Sequence, residues 1–137
     1  MDIFSNSFVS MKLVGKILYI TVQKEFCKWE ELAGVKEACT IIFDQCIKQR
    51  KKIAIIIDAR KMGILPLSYI TDWTNYLIGK RPITIQIVTS YSIVLSNSIL
   101  KSIINRVLTL NPGPVPTEFF TTMEPGELFA NLHNKKN

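Results

Sequence analysis

The stretch IAIIIDARKMG, residues 53–63, sets a carboxylate at the end of an apolar run and two cations just beyond it: Asp58, then Arg60 and Lys61. An aspartate that ends a buried strand can accept a phosphoryl group or bind a metal. Either task needs further carboxylates close by to hold a divalent cation. The first strand region, ILYITVQKEF, offers only Glu25. Asp58 and Asp72 are the only acids between Asp44 and Glu118. Asp72 falls in what reads as the first turn of a helix, where a negative charge is stabilising in its own right. Paired-carboxylate catalysis is therefore poorly supported. Asp58 reads instead as a strand-end acceptor, bonding backbone N–H groups of the turn ARKMG or pairing with Arg60.

Other chemistries fare no better. Neither G-x-x-x-x-G-K-[ST] nor G-x-G-x-x-G is present, which argues against a nucleotide-binding enzyme. The sole histidine, His133, lies near the C-terminal end, and no G-x-S-x-G elbow precedes it, which argues against a nucleophilic hydrolase. Three cysteines, Cys27, Cys39 and Cys46, form no C-x-x-C. Cys39 and Cys46 are about two helical turns, or roughly 10 Å, apart, too far for a disulfide. All three read as reduced thiols, two of them in the core. A zinc site would lack a nearby fourth ligand. The expectation is a non-enzymatic protein with no cofactor and no metal.

The chain has 137 residues, 47% hydrophobic and 20% charged, with a net charge of +6. That fits one globular domain with a real core. No apolar run approaches the roughly 20 residues that span a bilayer. MDIFSNSFVS has neither a basic n-region nor a continuous apolar segment, so no signal peptide is read and a cytoplasmic location is expected. The charge is unevenly spread. IKQRKK, residues 47–52, carries four cations, and no acid occurs from Trp73 to Thr117 while Lys80, Arg81, Lys101 and Arg106 do. Such a surface attracts phospholipid head groups, nucleic acid or an acidic partner. Cations at a helix C-terminus also complement the helix dipole, which gives KQRKK a structural role. A nucleic-acid binder would show denser basic runs interleaved with aromatics, so nucleic acid is not expected as a partner.

The elements that must position these groups follow from periodicity. Residues 8–23 read as two short strands around Gly15-Lys16. A helix begins after about Lys28, with Leu32, Val35, Cys39, Ile42, Phe43 and Cys46 on one stripe. KIAIIID is a continuous apolar strand, buried on both faces as in a covered parallel sheet. Residues 68–80 read as a helix, with Ser68 as N-cap behind Pro66, and Ile70, Trp73 and Leu77 on one side. ITIQIVTSYS, residues 83–92, alternates and reads as a strand. Residues 96–111 form a helix capped by Asn97 or Ser98. NPGPVP stops it, TEFFTTM is a last strand, and EPGELFANLH a last helix. The ends, about 1–7 and 134–137, are expected to fray. The order implies a single α/β domain. Its sheet is mixed but mostly parallel, with four or five strands and about four helices, packed mainly on one side, and with an antiparallel hairpin at one edge.

IIIDARKMGILPLSYITDWTNYL resembles the central segment of the STAS-like, SpoIIAA-like superfamily (sulphate transporter and anti-sigma factor antagonist): apolar strand, Asp, short turn, then a helix entered through Ser or Thr. IVTSYSIVLSNSILKSIINRVLTLNPGPVPTEFFTTMEPGELF also resembles it, with a short strand ending in Phe and a helix that opens on acids. The likeness covers roughly residues 10–133. It implies a regulatory protein-interaction module, with the surface at residues 60–72 meeting a protein partner or an anion through Arg60, Lys61, Ser68, Tyr69 and Asp72. It also implies Ser68 as a candidate phosphosite. Here the sequence departs from the family, because LPLSY has neither the preceding acid nor the following glycine of the D-S-[SG]-type motif. Some members resemble lipid-binding CRAL-TRIO domains, which implies an apolar cleft lined by Trp73, Tyr76 and Leu77 and a small apolar or anionic, lipid-like ligand. A homodimer through the same patch is a further expectation. The remaining alternative is a degenerate receiver built on Asp58. It departs from that pattern too, since TEFFTTM lacks the lysine a receiver carries near its end.

Overall fold

A computed structural model describes residues 2–110, 113 and 115–136. Six strands form one sheet in sequential order: β1 (Asp2–Ser5), β2 (Val9–Val14), β3 (Ile17–Val22), β4 (Ile53–Asp58), β5 (Val88–Val94) and β6 (Thr117–Phe120). The first three pair antiparallel and β3 to β6 pair parallel. Among the described residues, five helices connect or flank them: α1 (Trp29–Gln49), α2 (Leu67–Gly79), α3 (Arg81–Ile87), α4 (Ser98–Leu110) and α5 (Met123–Lys136). The sheet therefore has one or two strands more than the sequence implies, and one more helix.

The hairpin turns at Gly15, whose φ of 59° suits a residue without Cβ. Helix α1 starts where Glu31 accepts the Lys28 N–H at 2.8 Å and ends where Arg50 turns left-handed at φ 53°. Its stripe Leu32, Val35, Cys39, Ile42, Phe43 and Cys46 is buried throughout. Helix α4 is capped by Asn97, whose Oδ1 accepts from the N–H groups of Ile99 and Leu100 at 2.9 and 3.0 Å.

Period two on the strands divides the core. Ile53 and Ile55 join α1, α2 and α4 on one face. Ala54 and Ile56 meet Ala130 of α5 on the other. α5 is held there by Ser92 Oγ, which donates to Gly126 O at 2.9 Å, and by Tyr19, whose hydroxyl donates to Glu127 at 2.6 Å.

Three expectations need correction. Residues 83–87 are helix α3, not strand; only β5 from Val88 is extended. Ser68 does not cap α2: the N-cap is Pro66 and Ser68 is the second helical residue. Asp72 sits beyond the first turn, which holds no acid. Both ends make contacts with the rest of the domain. Asp2–Ser5 pairs with β2, and Asn134 bonds Thr89 at 2.7 Å and Lys16 O at 3.1 Å. Asn137, and Asn111, Pro112 and Pro114 of the NPGPVP connector, lie outside the described residues.

Candidate functional site

Asp58 ends β4 beside the turn that the sequence singles out. Its Oδ1 accepts from the Arg60 backbone N–H at 3.2 Å and from Nε at 2.9 Å, and its Oδ2 from Nη2 at 2.8 Å. The bidentate guanidinium holds the carboxyl below its ordinary pKa. Asp58 thus acts as a strand-end acceptor, and both its oxygens are taken. Among the described residues no group of three or more His, Cys, Asp or Glu side chains converges on a common point. Arg60 is committed to the same pair, so of the two cations in the turn only Lys61 stands exposed without it.

The proposed surface at 60–72 splits into separate roles. Asp72 pairs with Lys36 at 2.7 Å and ties α2 to α1. Ser68 is exposed on the first turn of α2. Tyr69 stacks on Trp29, with centroids 3.9 Å apart and planes at 22°. Around that stack lies exposed apolar surface: Leu67 is 62% exposed, Phe26 58%, Trp29 48% and Ile64 44%. Phe26 and Gly63 are neighbours, since Gly63 N–H donates to Glu25 O at 2.9 Å.

Beneath α2 and α4 lies a cavity of about 210 Å³. Its floor is a row of strand residues, Ile20, Ile57 and Ile93, which the parallel register places side by side. One wall is α2, through Tyr69, Ile70, Trp73, Leu77 and Ile78. The other is α4, through Ile104, Val107 and Leu108. The void shows in the burial pattern. Ile57, on a central strand, is only partly buried, and α4 fully buries Leu100 alone. An amphipathic helix that covers a packed core would bury more of its stripe.

Of the three predicted cleft residues, Trp73 and Leu77 line this cavity. Tyr76 does not: its hydroxyl shares a hydrogen bond with Thr40 Oγ1 at 2.7 Å and donates to Lys36 O at 2.9 Å, and its ring stacks on Trp73 at 5.5 Å. Burial pushes that phenol up to about 12. Sequence reading also missed much of the wall, including Arg81 and Thr84 of α3, because it placed residues 83–87 in a strand.

The lining is overwhelmingly apolar; Arg81, Thr84, Tyr91 and Thr117 form one polar group, while Cys27, Tyr69 and Thr74 lie elsewhere on the wall. Arg81 and Thr84 are three apart on α3, hence on one face. Tyr91 hydrogen-bonds to Thr84 and pairs in register with Thr117, which also lines the cavity. Desolvation raises the Tyr91 phenol to about 12, so it stays a neutral hydroxyl at physiological pH. Among the described lining residues only Arg81 carries a charge. A second depression of about 490 Å³, between β1, β2 and α1, mixes Glu37, Gln45 and Lys51 with apolar groups and includes no residue that sequence reading had marked as functional.

No family model matches the chain. No curated protein matches it either. Among solved structures it is similar to an uncharacterised protein from Shewanella loihica PV-4, of the DUF3478 family, described as having a SpoIIAA-like fold. The TM-score is 0.62 at 10% identity, over 89% of this chain and 91% of that one. At that identity the likeness speaks to architecture alone. No described helix is long and apolar enough to cross a membrane. Sheet order, helix placement and this likeness together give the chain a SpoIIAA-like fold.

Proposed function

We propose that this chain is a non-enzymatic, cytoplasmic binding module that holds a small apolar molecule in the cavity under α2 and α4. The observation that carries this reading is the cavity itself. It is larger than the roughly 150 Å³ apolar cavities that take up benzene, and most of its lining side chains are apolar. Burying a ligand there would remove apolar surface from water on both partners. Native mass spectrometry of protein freshly purified from its own cells tests the proposal. A stoichiometric extra mass that Trp73→Ala loses is the expected result. A bare polypeptide whose melting temperature 1-decanol leaves unchanged overturns it.

A second reading rests on a separate observation, the exposed strip Phe26, Trp29, Ile64 and Leu67 around the Trp29–Tyr69 stack. Exposed apolar and aromatic side chains grouped in this way suit a regulatory protein-interaction surface, including self-association. Ser68 lies within it, where a phosphate would place about two negative charges at a helix N-terminus. Trp29→Ala together with Leu67→Ser should abolish partner capture or dimerisation and leave ligand uptake intact.

A further inference from the structure

The geometry points to an amphipathic ligand with an anionic head, carboxylate or phosphate, held at Arg81, and an acyl-type tail that runs toward Leu65 and Phe8. This rests on the cavity reading above and names the ligand class. The argument is the place of Arg81, the one charged side chain among the described lining residues, beside Thr84, Tyr91 and Thr117. The strands run parallel through the floor, so their register gives the cavity a direction. Tyr91, midway along β5 and one inward step before Ile93, and Thr117, the first residue of β6, lie on the side of Thr84 and Arg81. Val22, Ala59, Leu65 and Phe8 lie toward or beyond the C-terminal ends of β3 and β4 and are apolar, and the polar residues of that end, Cys27 and Tyr69, carry no charge.

A wholly apolar ligand would leave the first end poorly served. A guanidinium packed against hydrocarbon loses hydration that an anion would replace. A carboxylate or phosphate repairs this. Arg81 offers a planar fork that suits either anion, and Tyr91 and Thr84 supply hydroxyls on the same side. Arg81 also makes an interaction within the chain, so the anion must share or replace that partner.

The test compares decanoate, decyl phosphate and 1-decanol as probes, by calorimetry on the intact chain at neutral pH. The alcohol reports the cavity, and the anions report the head site. The expected result is that at least one anion binds about tenfold to a hundredfold tighter than the alcohol, the range of a charge-assisted hydrogen bond. Which anion wins tells carboxylate from phosphate. Arg81→Gln should keep the alcohol affinity and lose the preference, while Lys101→Gln, a cation on the exposed side of α4, should keep both. Equal binding of anion and alcohol overturns the inference. So does a preference that survives Arg81→Gln, or one that Lys101→Gln erases as well. If none of the probes binds, the cavity reading itself falls and this inference with it.

A second measurement needs no variant, should Arg81→Gln not fold. Decanoate labelled with ¹³C at the carboxyl is titrated while bound. Beside Arg81 its pKa falls below that of the free acid. In an apolar pocket without the cation it rises. A rise overturns the assignment.

Discussion

If the space under α2 and α4 is a true void, filling it should stabilise the ligand-free protein. Ala59 is the place to try. It follows β4 directly, is buried, and its backbone is fixed by an N–H donated to Val94 O at 2.9 Å and a carbonyl that accepts from Met62 N at 3.1 Å. Its methyl is among the smallest groups on the wall. Ala59→Leu adds three carbons, each worth about 0.8 kcal/mol when buried. The new side chain gives up about 0.5–1 kcal/mol of rotamer freedom. The net gain is roughly 1.5 kcal/mol, or about 5 °C in Tm for a domain of this size. In a packed core the same change would be overpacking and cost about 1–3 kcal/mol. The two outcomes differ in sign, so ligand-stripped wild type and variant compared by urea and thermal denaturation decide between them. Ala59→Leu should also weaken 1-decanol binding at least tenfold, because it occupies the same space. A Tm lowered by 4 °C or more would show that no usable void exists at this wall.

Other perturbations separate structural roles from binding. Asp58→Asn removes a pair whose Arg60 half is largely exposed, so the loss should stay near 1 kcal/mol with ligand uptake unchanged. The folded-state pKa of Asp58 is lowered, so its stabilisation is present above the ordinary carboxyl range and fades as pH falls through the folded value. Acid titration below about pH 4 should therefore destabilise wild type more steeply than Asp58→Asn. Ser68→Ala should change stability by less than about 0.5 kcal/mol, since Ser68 caps nothing, whereas Ser68→Asp should add about 0.3–1 kcal/mol in a first turn that has no acid. A thiol reagent should label Cys27 first, with Cys39 and Cys46 reacting only on unfolding. Burial raises all three thiols, Cys39 to about 12, but Cys27 alone is incompletely buried and lines the cavity. Bound decanoate should slow that first reaction, as mass spectrometry of the labelled protein will show.

Much of the fold was legible because its signals are strong and local. The stripe on α1 has six apolar residues at steps of three and four, and every one is buried. IAIIID is continuous because β4 lies between β3 and β5 with a helix layer on each face. β1 was missed, since four residues without alternation carry no period; it forms because Asn6 turns the chain, its Oδ1 accepting from Phe8 and Val9 N–H groups at 2.8 Å. Ser68 looked like a cap because a Ser behind a Pro usually is one. The helix instead starts directly after Pro66 and leaves the hydroxyl exposed. Of the candidate cleft, Trp73 and Leu77 were legible from their shared helix face. Tyr76 does not line the cavity, because its hydroxyl is bonded across space to Lys36 O and Thr40 of α1.

The costliest misreading was ITIQI, and its cause is physical. Isoleucine at 83, 85 and 87 gives an apparent period of two, and isoleucine favours strands. A strand from 83 would have had too little to pair with. β4 offers six residues and β6 four, so several N–H groups of a ten-residue strand would have met no partner. Turning 81–87 into a helix satisfies them locally, and Pro82 fits there because the opening turn needs no N–H from it. The buried pair is then Thr84 and Ile87, three apart, while Ile85 faces water at 58% exposure. That change of period brings Arg81 and Thr84 onto one face and turns both toward the cavity. Read as the lead-in to a strand, Arg81 is one more surface cation. On a helix it is the one charge among the described residues that line the cavity, and the proposed ligand chemistry hinges on that difference.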